Sequence, residues 1–389
     1  MKIAVTICEY NPFHNGHLYS LDQIKKISGA EAVICIMSGN FTERGDIAVM
    51  HKYTRARHAL LAGADMVIEL PTVFATAPAE IFAKGAVKTA ECLQGERTLY
   101  FGIESGNKEG LISAAQYLLN ESAEFKAALK EELESGVSFA KARYNALEKI
   151  NPNGIDLAYT VSPNNILGLE YTKAVIERGN KTDICPIIRT GAGYKAEKPD
   201  GIYYSASGIR QTIADGKYKK TAKYMPNYVF DDLPKTLPSA DREILYALLA
   251  MPKKELAGIT DCSEGLENRI KALLKDCYTR KELIGKLSTK RYTVPRLSRI
   301  TLSAMLGISA KFTEKCLKSD LYLKVLAIRK DRADLLKELG GKTPFIMRKS
   351  DADDLSGTAA ECFEKDVFAN DIYNIATQKK TNEFYTVLL

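Results

Sequence analysis

A chain that places His14-Asn15-Gly16-His17 directly behind an apolar run has few folds open to it. Ile3-Ala-Val-Thr-Ile7 reads as a buried parallel strand, Asn11-Pro12-Phe13 as a turn, and Leu18, Leu21 and Ile24 recur at helical spacing. Strand, Gly-containing turn and helix N-terminus together make an anion site, because unpaired backbone N–H groups and the helix dipole face the ligand. His14 and His17 are three apart, so on a first helical turn both imidazoles lie on one side, and Gly16 lets a phosphate approach the backbone. Half of a zinc site and incidental surface histidines are the competing readings. His51 and His58, the other two of the four histidines, are seven apart, and no CxxC pair accompanies them, so phosphate binding is expected and no metal ligand is named.

The same alternation continues. Ala32–Met37, Met66–Leu70, Thr98–Phe101 ending in Gly102, and Ile184–Ile188 read as further strands with helical patterns between them. That order predicts an α/β fold, a parallel sheet wound with helices in a Rossmann-like arrangement, whose turns after Ile7, Met37, Leu70, Phe101 and Ile188 open on one rim. Residues 108–150, rich in Ala, Leu, Lys and Glu, read as a helical insertion. Residues 1–225 are expected to form the nucleotide-binding domain. Residues 226–389 are expected to be mostly helical, from about 232 to 316, and to end in a small α/β segment with strand-like runs Tyr322–Ile328 and Pro344–Met347. The 389 residues, 46% hydrophobic and 26% charged, have material for two or three domains. Asp65, Glu69 and Pro71 interrupt the apolar stretch 59–83, so no membrane span is expected, and no signal peptide is read at the N-terminus. Eight scattered cysteines suit reduced thiols in a cytoplasm.

Longer motifs sharpen the reading. Glu9-Tyr-Asn-Pro-Phe-His-Asn-Gly-His-Leu18 extends an HxGH signature of the nucleotidyltransferase superfamily. Ser38-Gly-Asn-Phe-Thr-Glu-Arg-Gly45, Gly63-Ala-Asp-Met-Val-Ile-Glu-Leu-Pro71, Ser162-Pro-Asn-Asn-Ile-Leu-Gly168 and Arg189-Thr-Gly-Ala-Gly-Tyr194 follow in order. Together they resemble the bacterial tRNA(Met) cytidine acetate ligases, most strongly over residues 1–210. The resemblance implies that ATP and acetate give acetyl-adenylate, which acetylates N4 of the wobble cytidine of elongator tRNA(Met). It also implies Mg²⁺ with the ATP, held largely by phosphates and water. No stable protein partner is implied.

On that resemblance His14, His17 and Arg210 are assigned to catalysis, the two imidazoles at the α- and β-phosphates. The nucleotide is expected along Ile7, Cys8, Glu9, Tyr10, Asn11, Pro12, Phe13, His14, Asn15, Gly16, His17, Leu18, Tyr19 and Ser20. Gly102 matches an adenosine-contacting glycine, with an ordinary turn glycine as the alternative. One of Asn164 and Asn165 is expected to touch ribose or adenine, helix capping being the other use of Ser162-Pro-Asn-Asn. Arg189, directly behind a strand, places a permanent charge at the ligand rim, a surface arginine being the alternative. Ser205 or Ser207 of Ser205-Ala-Ser-Gly-Ile-Arg210 is expected to donate to the leaving diphosphate, Gly208 departing from the usual pattern. Lys52, Arg55 and Arg57 are left open between acetate, triphosphate, tRNA and a solvated helix face.

Residues 271–299 carry nine Lys or Arg against Asp276 and Glu282, an excess equal to the chain's formal net charge of +7. With Tyr278 and Tyr292 interleaved, the segment reads as an RNA-facing surface, and Lys286, Lys290, Arg291, Tyr292, Arg296 and Arg299 are its candidate contacts. Two other functions compete: an adenylyltransferase acting on a small phosphorylated cofactor precursor, and a non-catalytic RNA-binding protein. The long C-terminal region argues against the first, and the intact His14, Gly16, His17 and Arg210 against the second.

Overall fold

The computed structural model describes residues 1–151, 154–189 and 199–389. Its strands are β1 (Lys2–Cys8), β2 (Ala32–Ser38), β3 (Met66–Leu70), β4 (Glu96–Ile103), β5 (Asp183–Ile188), β6 (Leu323–Ile328), β7 (Phe345–Ile346) and β8 (Val387–Leu388). They form one sheet in the order β5-β4-β1-β2-β3-β6-β7, with β8 beside β6. The first five strands are mutually parallel, whereas β6 runs antiparallel to β3.

The apolar runs are nearly continuous because both faces of the sheet are covered. Ile3, Val5, Ile34 and Ile36 enter one core, where the helices Ala79–Glu91 and Pro163–Glu177 contribute Phe82, Val87, Leu169 and Val175. Ala4, Val33, Cys35 and Met37 enter the other, closed by Leu21 and Ile24 of α1 (Asn15–Ser28) and by Tyr53, Ala56 and Leu60 of α2 (Lys52–Leu61). The chain moves from β1 through β2 to β3, then returns to lay β4 on the other side of β1. The crevice beyond the carboxyl ends of β1 and β4 is therefore a topological switch point, the usual ligand site of such a sheet.

Residues 108–150 are helical as expected, in helices Lys108–Leu119, Ala123–Glu134 and Phe139–Ile150. Helices Asp241–Ala250, Arg280–Leu287, Val294–Leu306 and Ala310–Lys318 fill the later helical region. Two features depart from the pattern expected of the sequence. β6 extends the N-terminal sheet past β3, so the sheet runs across residue 225. The helix Gly357–Thr377, 21 residues long, is the second. Its buried row includes Asp366 and Asn370, polar residues that break an apolar pattern. Their partners explain the burial: Asp366 accepts from the Thr72 N–H and the Tyr322 hydroxyl, and Asn370 holds Asn40 and His51.

Candidate active site

Helix N-termini are ordinarily capped by Ser, Thr, Asp or Asn. Here an imidazole does it. His14 is the N-cap of α1, and its Nδ1 accepts from the Gly16 N–H at 3.0 Å, while Nδ1 of His17 accepts from the His14 N–H at 3.3 Å. The two rings stack with centroids 3.6 Å apart and planes 23° apart. With both Nδ1 atoms accepting, each neutral ring carries its proton on Nε2. Burial and the Arg189 and Arg210 guanidiniums hold the His14 pKa down to about 3, and burial, His14 and Arg189 hold His17 well below its ordinary value. The pair is thus two neutral N–H donors at a helix N-terminus.

Gly16 has a local reason as well as the expected one: a Cβ there would sit 2.9 Å from Cε1 of His14, so a side chain would push the capping ring away. Behind His17 lie Tyr10 and Phe13, with ring centroids 5.0 and 5.6 Å from it. Tyr10 takes φ +48, the left-handed region, which turns the chain out of β1. Asn11 accepts from the Val49 N–H through Oδ1, and its carbonyl accepts from Nη1 of Arg210 at 2.7 Å. Arg210 therefore grips the loop that carries the histidines.

Ser205 caps the helix Ala206–Ala214, accepting from the Gly208 N–H, and its hydroxyl lies 3.1 Å from that of Ser207. Gly208 packs under the Tyr204 ring, where a Cβ would collide. Gly102 lies inside β4 opposite Ile187 rather than in a turn, and a Cβ on it would stand 3.0 Å from Cγ of Arg189. Arg189 continues the ladder through its N–H to the Ile103 carbonyl. Thr190 to Tyr194 of the same motif lie outside the described residues.

The two asparagines differ. Asn165 is buried, accepts from the Glu104 N–H and donates to Ser105 and the Ala158 carbonyl, all within the protein. Asn164 is half-buried and donates to the Glu104 carboxylate at 2.8 Å.

Lys52 and Arg55 are buried and bonded within the protein, not on a solvated face. Lys52 is buried against Glu69 and Glu383, at 2.7 and 2.6 Å. Arg55, also buried, donates to the carbonyls of Met50, Glu9, Ser38 and Gly39 and so fastens the turn after β1 to the turn after β2. Arg57 pairs with Asp232. The charge of a lone Lys or Arg says nothing about burial; the matching carboxylates lie far away in sequence.

Glu9, expected along the nucleotide, also ties two turns together. Glu9, at the end of β1, accepts from the Ser38 hydroxyl and from the Glu43 N–H, and Glu43 in turn pairs with Arg299 at 3.1 Å. Arg280 donates to the carbonyls of Gly45 and Ser298. The loop after β2 is thereby clamped between the histidine motif and the helix Val294–Leu306.

This clamp changes the reading of the basic segment. Arg299 faces Glu43 and Asp261, Arg296 donates to the Asp261 carbonyl and lies over the Tyr292 ring, and Arg291 and Tyr292 engage Glu264. Lys286 donates to the Asp276 carbonyl, while Lys290 is exposed. Among the described residues no group of three or more His, Cys, Asp or Glu gathers as a metal site, and no helix is long and apolar enough to cross a membrane.

Residues 1–386 match the family model described as HIGH Nucleotidyl Transferase. The tRNA(Met) cytidine acetate ligase of Acetivibrio thermocellus is 36% identical over 99% of this chain and 98% of its own, and that of Caldanaerobacter subterraneus subsp. tengcongensis 38% over 97% and 96%. Solved structures of Thermotoga maritima TmcAL superpose over all of both chains. The ligand-free form has a TM-score of 0.90 at 28% identity, and the form bound with alpha-thio ATP has 0.88 at 27%.

Proposed function

The chain belongs to the tRNA(Met) cytidine acetate ligases of the HIGH nucleotidyltransferase family, and from that premise we propose that it couples ATP to acetylation of a tRNA cytidine. ATP and acetate form acetyl-adenylate and diphosphate. The exocyclic N4 amine of the wobble cytidine of elongator tRNA(Met) then attacks the activated carbonyl and releases AMP.

The stacked, neutral imidazole pair carries this reading. Acetate is ionised at neutral pH and needs no base to attack the α-phosphate. The barrier lies in the charge that gathers on the phosphate and the departing diphosphate, and fixed donors lower it. The Nε2–H groups of His14 and His17 and the N-terminus of α1 are such donors, held rigid by the reciprocal cap. Arg210 and Arg189 supply positive charge, Ser205 and Ser207 hydroxyl donors to the diphosphate, and Gly102 and Asn164 the nucleoside edge. Ile7 to Ser20 line the nucleotide. Mg²⁺ enters with ATP, held largely by its phosphates and by water. Residues 1–225 carry the adenylation, and 226–389 contribute contacts to the tRNA, Lys290 among them. The reaction suits a cytoplasmic protein.

Exchange of labelled diphosphate into ATP tests the first half-reaction: it should require acetate. Mass analysis of nucleosides should then find N4-acetylcytidine in tRNA(Met), with free cytidine a negligible substrate because its base is not presented in a pocket. Exchange driven by a phosphorylated cofactor precursor instead of acetate would overturn the assignment.

A further inference from the structure

A second group of basic residues, apart from 271–299, is tied to the candidate site. Lys217, Lys219, Lys220 and Lys223 fall within seven residues that contain no Asp or Glu. All four are exposed, and none makes an ion pair among the described residues. Lys223 lies over the Tyr224 ring at 4.9 Å, a contact that leaves its charge in place.

Their backbone gives them an order. Tyr218–Tyr224 is a 3-10 helix with Lys217 as its N-cap, and in such a helix residues three apart eclipse one another. Thr221 and Tyr224 are buried, and Tyr218 stacks on Phe230, so 218, 221 and 224 form the inner row. Lys217, Lys220 and Lys223 form the adjoining row, stepped by about 6 Å along the axis at roughly 2.0 Å per residue. A row of evenly stepped ammonium groups suits the successive phosphates of a nucleic-acid strand.

The row is also tied to the histidine motif. Nδ2 of Asn15, between His14 and Gly16, donates to the carbonyls of Lys223 at 3.1 Å and Ile202 at 2.9 Å. The 3-10 helix packs against the helix Ala206–Ala214, which carries Arg210. We propose that Lys217, Lys220 and Lys223, with Lys219 beside them, hold the phosphate backbone of the tRNA next to its reacting cytidine. This rests on the proposed function but is tested apart from it, through binding.

The experiment compares the wild-type chain with the triple variant Lys217→Ala, Lys220→Ala, Lys223→Ala, using an elongator tRNA(Met) transcript as probe in filter binding over a range of salt. The variant should bind roughly tenfold or more weakly, and the slope of log affinity against log salt should become shallower by about 2, the share of three contacts to a single strand. Acetate-dependent diphosphate exchange should stay within about twofold of wild type, and the matching Lys→Arg triple should bind tRNA as wild type does. The residues are exposed, and equal melting temperatures would show that the fold persists. Unchanged tRNA affinity and salt slope would overturn the proposal. So would a raised KM for ATP in the exchange reaction, which would place the lysines on the triphosphate.

Discussion

His14 serves two ends with one ring: Nδ1 closes the helix terminus and Nε2–H is left for the ligand. Substitution separates them. His14→Asn keeps a side-chain oxygen for the Gly16 N–H but loses the outer donor. It should therefore melt close to wild type while forming acetyl-adenylate about 10²-fold more slowly. His14→Ala should lose both, adding about 1 kcal/mol of destabilisation in urea unfolding. For His17→Ala, ATP affinity should stay within about tenfold while adenylate formation falls by about 10². The histidines also set a pH dependence. All four are held below their ordinary 6.5, His14 and His51 to about 3, each chiefly by burial. As pH falls below 6.5 the unfolded chain takes up protons that the folded rings refuse. Stability present above that pH is then lost by up to about 1.4 kcal/mol per pH unit for each ring. Urea midpoints taken between about pH 7 and pH 5 should drop steeply, less so in His14→Asn, which has one ring fewer. The pairing of His14 with His17 was legible because both partners sit within one helical turn. Lys52 and Arg55 were not, because Glu383 lies 331 positions from Lys52 and the acceptors of Arg55 are mostly backbone carbonyls of other turns.

Among elements, the loop after β2 is the joint between the nucleotide site and the helical region. Gly45 has φ +78, and a Cβ there would stand 2.5 Å from the Arg299 nitrogen and from the Ser298 carbonyl carbon, both backbone atoms with little room to move. Gly45→Ala should thus cost about 2 kcal/mol or more, combining left-handed strain with a collision. Because Glu9 and Glu43 sit on either side of this joint, acetate-dependent exchange should fall along with the melting temperature. A variant that lost stability alone would show that the loop braces the fold and nothing more. Alternating apolar and helical runs made β1 to β5 readable, since strands covered on both faces leave a local signature. The helix Gly357–Thr377 left none. Its inner row carries Asp366 and Asn370, whose partners Thr72, Tyr322, Asn40 and His51 come from four other places in the chain. The basic run 271–299 was legible as charge. What Glu264, Asp261 and Glu43 do to that charge was not, because the count along a segment leaves out partners folded onto it.

Across the whole molecule, Lys52 under the sheet draws Glu69 from β3 and Glu383 from the last few residues into one buried cluster. Burial works against the ammonium but is outweighed by the two carboxylates, so its pKa is raised, while burial pushes the Glu383 carboxyl up to about 8. Lys52→Met removes the cation and leaves two buried carboxylates facing each other. It should destabilise the chain by about 3–5 kcal/mol, and adding Glu69→Gln and Glu383→Gln should recover part of that loss in urea unfolding. The place of β6 bears on how such a chain is made. Leu323 follows Leu70 by 253 residues, yet β6 is the strand that covers the open side of β3. While a ribosome is still synthesising the intervening stretch, the emerging sheet shows a bare row of backbone donors and acceptors to whatever is near. A fragment ending short of residue 323 keeps that row bare for good. Such fragments should collect in inclusion bodies, and the full chain should depend on a chaperone that shields the edge of β3 until its late partner arrives.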